Sequence, residues 1–123
     1  MAGTSGYENK YCDGKPQFHK IVPEFSEGLA CQLTHGNSKY DEDSWKTIPK
    51  EEYVGALERH FNAYRRGEDI DPETGLLHLD AVAACTMFLR WFSTQDEKLA
   101  RKIRANIKAK TYIYKGGPSG SIK

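Results

Sequence analysis

No run in this 123-residue chain approaches the ~18 consecutive apolar residues that a membrane-spanning helix needs, and the mean hydropathy is −0.70, so a membrane protein is not expected. The opening MAGTSGYENKY lacks a basic segment followed by an apolar one, which gives no sign of secretion. Cysteine is scarce: Cys12, Cys31 and Cys85 are an odd number at wide spacing, with no CxxC. That argues against a disulfide framework or a cysteine zinc site and places the chain in a reducing cytoplasm. Also missing are a P-loop, a GxGxxG turn, a nucleophile elbow and an HExxH helix. Charge of one sign is lacking overall, since the net value is +1, yet residues 1–95 hold 10 basic and 15 acidic side chains while residues 96–123 hold 8 and 2. An acidic body argues against a general nucleic-acid binder. A basic tail suits an anion such as a nucleotide, or an acidic neighbour in an oligomer.

What is present is helical periodicity within one domain's length. Residues 1–22 mix Gly, Lys, Asn and Pro and read as an extended arm. Pro23 fits a first helical position, and Phe25, Leu29 and Leu33 recur at fours, giving a helix to about Lys39. Val54, Leu57, Phe61 and Tyr64 mark a second helix opened by Pro49 and Lys50 and stopped by Gly67. GEDIDPETG is a polar, acidic loop. A third helix, Leu76 to Phe92, carries one stripe of Val82, Cys85, Leu89 and Phe92 and another of Ala84, Met87 and Trp91, so it should be covered on both sides, the second cover coming from another subunit. Asp96 to Lys110 makes a fourth helix, and residues 111–123 a frayed tail in which YIY at 112–114 is the only strand-like run. The fold class is all-α, with a helical domain over 23–110.

Several side chains in this pattern suit chemistry. Glu24 and Glu27, one turn apart, can converge on a hard divalent cation, or can simply complement the helix dipole. Glu58 and His60 flank the second helix's apolar stripe on opposite sides, and His60 is the inward one, either a satisfied core residue or a functional one. His78 and Asp80 head the two stripes of the third helix, as first-turn residues or as working groups; a carboxylate there is unfavourable to bury without a partner or a metal. The alternation of Asp69, Asp71 and Glu73, with Asp80 in twelfth place, suggests a calcium loop, but Pro72 inside it, Gly75 one place late and the missing bidentate Glu break the match.

Taken in order, IVPEFSEGLA, THGNSKYDEDSW and ERHFNAYRRGEDIDPETGLLHLDAVAAC, covering about residues 15–92, resemble the small phage dATP/dGTP diphosphohydrolases, the MazZ group of MazG-like all-α nucleotide pyrophosphatases. The resemblance implies a helical, oligomeric enzyme, a homodimer or homotetramer dependent on Mg²⁺ or Mn²⁺, in a host's cytoplasm if phage-encoded. It implies conversion of a purine deoxynucleoside triphosphate to the monophosphate and pyrophosphate, and a supply of dGMP for 2-aminoadenine synthesis. Glu24 and Glu27 match the family's first-helix acids, and His60, Glu68, Asp69 and His78 match its RH, GED and HL elements. The wider MazG pattern's ExxD is absent, because Leu77 and His78 precede Asp80. The expected roles are metal binding for Glu24, Glu27 and Asp80, catalysis for Glu24, Glu27, His60 and His78, and substrate contacts for Lys39, Arg59 and Trp45, the last by stacking on a purine. A noncatalytic helical interaction module, with solvated acids and a tail for an anionic partner, is the competing reading.

Overall fold

The computed structural model describes residues 14–37 and 42–113. Lys39 and Tyr114 lie outside the described residues. Four α-helices are present there: α1 (Pro23–Asn37), α2 (Lys50–Arg65), α3 (His78–Ser93) and α4 (Glu97–Lys108), with short 3-10 turns at Phe18–Lys20 and Ser44–Thr47. No strand forms among the described residues; an isolated antiparallel bridge, Ile70 to Leu77, closes the acidic loop. The all-α class therefore holds. Helix ends differ from expectation by one or two residues, and the strand-like 112–113 is turn.

Two compact units are present, one joining described residues 14–20 with 97–113 and the other running from Ile21 to Asp96. In the first, Tyr112 Oη donates to the Gly14 carbonyl at 2.6 Å. Its helix α4 has Glu97 in the first turn and Lys108 in the last, as the macrodipole favours. No described helix is long and apolar enough to cross a membrane.

The second unit is built on α3, against which α2 and α1 both pack. Small side chains make the approach close: Ala63 of α2 and Ala81, Ala84 and Cys85 of α3 are buried. An aromatic cluster closes one end, where Phe88 stacks with Trp45 at 4.7 Å and lies 4.7 Å from Tyr53, and Trp91 meets Trp45 edge-on at 5.1 Å. The Tyr53 hydroxyl donates to the Trp45 carbonyl at 2.7 Å. The chain itself thus supplies cover for α3 through α1 and α2.

Where α2 ends, Gly67 adopts φ +98°. Its N–H bonds the Tyr64 carbonyl at 2.9 Å and the Glu68 N–H bonds the Ala63 carbonyl at 3.0 Å, the two bonds of a Schellman stop. The following loop folds onto itself: Asp71 N–H to Leu76 O at 2.8 Å, Gly75 N–H to Asp71 O at 2.8 Å and His78 N–H to Asp69 O at 2.9 Å. This tight return sets Glu68 and Asp71 beside the first turn of α3.

Candidate functional site

On α1, Glu24, Glu27 and Gly28 share one side by helical geometry, and both acids are exposed. Asp80 reaches this same side from α3. A Cβ added at Gly28 would run into the Asp80 carboxylate, so the absence of a side chain there is what lets Asp80 lie against α1. One turn further along α1 comes Gln32. Its Oε1 is buried without a hydrogen-bond partner, which is unfavourable for a polar atom unless something else supplies a donor. Gln32 forms part of the wall of a cavity of about 390 Å³, shared with Leu33, Trp45, Tyr53, His60 and Phe88. That volume lies within the range of small-molecule sites.

A second constellation sits on the other side of α3's first turn. His78 is buried, and its Nε2 lies 2.8 Å from Glu68 Oε1. Its Nδ1 is 2.9 Å from His60 Nδ1. An ionised Glu68 only accepts, so His78 carries its proton on Nε2 and presents a bare lone pair at Nδ1 to the Nδ1–H of His60. Asp71 Oδ2 lies 3.9 Å from that same His60 nitrogen, while Asp71 Oδ1 accepts the Glu73 N–H at 2.9 Å. Burial pushes His60 below the usual histidine range, with the Asp71 charge pulling the other way. Cys85, at the heart of the α2–α3 contact, is held above its ordinary value by burial and so is poorly suited to nucleophilic work.

The expected site residues fall into three groups. Glu24, Glu27 and Asp80 occupy neighbouring positions but do not bring three ligand atoms within 4.8 Å of one another; among the described residues the set that does is His60, Asp71 and His78. Trp45 borders the cavity, with Phe88 stacked on its ring as part of the wall. Arg59 is exposed on α2, its guanidinium near Gly55 one turn back, and Lys39 lies outside the described residues. Gln32 and Asp71 were not among the expected site residues. Gln32 had a signal, a polar side chain at an inward position between Leu29 and Leu33. Asp71 stood in a loop whose failed calcium match said nothing about a histidine partner.

The family model described as "dATP/dGTP diphosphohydrolase, N-terminal" matches residues 5–102. A dATP/dGTP diphosphohydrolase of Salmonella phage PMBT28 is 34% identical over 82 residues, covering 67% of this chain and 28% of the relative. The chain thus corresponds to little more than a quarter of that relative's length. No solved structure matches it.

Proposed function

We propose that this chain, which belongs to the dATP/dGTP diphosphohydrolase N-terminal family, hydrolyses purine deoxynucleoside triphosphates to the monophosphate and pyrophosphate. The observation that carries the proposal is the seating of Asp80 against Gly28 of α1, next to the cavity that Gln32 lines. Asp80, seated at Gly28, stands about one helical turn from Gln32 and the cavity, and Glu27 and Glu24 precede Gln32 on α1 by five and eight residues. Four residues of helix rise roughly 6 Å, short enough for one nucleotide to keep its phosphates at the acids and its base in the cavity.

The donor type suits a hard divalent cation, since all three are carboxylates, and the Gly28 cradle that a Cβ would fill leaves Asp80 room beside α1; the exposed side chains of Glu24 and Glu27 would have to draw in toward Asp80 to share one ion. Mg²⁺ or Mn²⁺ held by Glu24, Glu27 and Asp80 would supply charge neutralisation at the phosphate oxygens and a more acidic water. Water adds to the α-phosphorus, the bond from that phosphorus to the bridging oxygen breaks, and pyrophosphate leaves. The chain's contribution is placement. Gln32 stands in the cavity wall, where a turn of its amide would offer the partnerless Oε1 to an amino or imino group of the purine, and the apolar wall of Leu33, Tyr53 and Phe88 excludes water around the base. His60 and His78, expected among the catalytic groups, are tied to each other, and His78 to Glu68; they serve as positioning residues that fix the start of α3 and therefore Asp80. The product dGMP is the form in which a 2-aminoadenine pathway would draw on this enzyme.

Purified chain incubated with dGTP and Mg²⁺ or Mn²⁺ is expected to release dGMP and pyrophosphate in equal amounts, read by chromatography, and EDTA is expected to stop it. Release of dGDP with orthophosphate, metal-independent turnover or no turnover would overturn the proposal, the last in favour of a noncatalytic interaction module. The active form is proposed to be a homodimer or homotetramer. Val54, Phe61 and Tyr64 of α2 are 43%, 42% and 39% exposed, a large apolar stripe for a monomer to leave in water. Light scattering at micromolar concentration should give two or four chain masses; a monomer mass refutes this part.

A further inference from the structure

We infer that His60, Asp71 and His78 form a second cation site, specific for a borderline transition ion of the zinc class and separate from the carboxylates of α1. This inference does not depend on the nucleotide reading. The ligand atoms come from three segments, α2, the acidic loop and α3, and all lie within 4.8 Å of one another. Bonds of ~2.0–2.2 Å in a tetrahedron set ligand atoms about 3.4 Å apart. The Nδ1–Nδ1 separation of 2.9 Å and the Nδ1–Oδ2 separation of 3.9 Å bracket that value. Two imidazole nitrogens with one carboxylate favour Zn²⁺, Co²⁺ or Ni²⁺ over Mg²⁺ or Ca²⁺, which prefer oxygen alone. The scarcity of cysteine excludes a thiolate site and leaves this donor set untouched.

The surroundings are those of a built site. Glu68 Oε1 accepts from His78 Nε2 at 2.8 Å, the carboxylate–histidine link that orients a ligating ring and leaves Nδ1 as the donor atom. The Glu73 N–H occupies Asp71 Oδ1 and so turns Oδ2 toward His60. His78 is only 5% exposed, so a cation there would hold the core-facing corner of α3. Asp80, two residues on, projects to the other side of the helix, toward Gly28, so one ion cannot serve both sets. Three protein ligands leave one position for water. The ion would clip the end of α2 and the loop to the first turn of α3.

The test titrates the EDTA-treated 123-residue chain with Co²⁺ in excess Mg²⁺, which fills the all-oxygen positions. One equivalent should produce the intense visible absorption of four-coordinate cobalt, Zn²⁺ should bleach it, and Zn²⁺ should raise the thermal midpoint. His60→Gln and Asp71→Asn, both at partly exposed positions and checked for fold by circular dichroism, should lose the band. Glu68→Gln should weaken Co²⁺ binding about 10- to 100-fold. Glu27→Gln should bind as the parent chain does, which separates this site from the nucleotide proposal. Absence of the band in folded parent chain, its persistence in both His60→Gln and Asp71→Asn, or its loss in Glu27→Gln would overturn the inference and leave a hydrogen-bonded histidine pair.

Discussion

Glu27→Gln is expected to lower dGTP turnover about 100- to 1000-fold, because loss of one charged ligand removes several kcal/mol of transition-state stabilisation and each ~1.4 kcal/mol is a factor of ten. Folding should be untouched. Glu27 is exposed on the second turn of α1, and Gln keeps its length and helix propensity. The competing account of an acid near a helix N-terminus is dipole complementation, worth about 0.3–1 kcal/mol of stability and nothing in catalysis. The two accounts separate in one experiment: pyrophosphate release against substrate concentration, with circular dichroism and a melting curve on the same sample. A folded variant with parental turnover would return Glu24 and Glu27 to the role of surface acids.

The helices were legible because their apolar residues recur at turn spacing and their ends carry Pro23, Pro49 and Gly67, each with a local mechanical reason. The inward side of His60 was legible from its place beside Tyr53, but the apolar stripe that marked α2 in the sequence, Val54, Phe61 and Tyr64, is largely exposed, and Tyr53 and Ala63 are the buried residues. What a helical wheel does not give is which helix faces which. The meeting of Asp80 with Gly28 joins residues 52 positions apart, and nothing in either segment names the other. The loop is harder still. Asp71 reaches His60 because a bridge between Ile70 and Leu77 and an N–H from Glu73 fold the loop back, and those bonds depend on backbone geometry that composition does not encode. The two stripes of α3 were legible from their period, but the elements that pack against it, α1 and α2, are set by packing and not by period.

Gly28→Ala is expected to lower turnover about 100-fold while the protein melts no lower than its parent. Propensity alone favours the change, since Ala in a helix interior is better than Gly by roughly 1 kcal/mol. Its Cβ, however, would occupy the place of the Asp80 carboxylate, the far end of a short side chain that can swing away more easily than either helix can shift. Stability is therefore preserved and the carboxylate is displaced, and misplacement of a working group by ~1 Å is enough for a loss of about 10²-fold. A double-mutant cycle with Asp80→Asn assigns the cause. If the methyl acts through Asp80, then adding Gly28→Ala to Asp80→Asn should change kcat by less than about 2-fold, because the group it displaces has already lost its charge. Parental turnover in Gly28→Ala, or losses that multiply in full across the cycle, would show that Asp80 does not work from the position it occupies against α1.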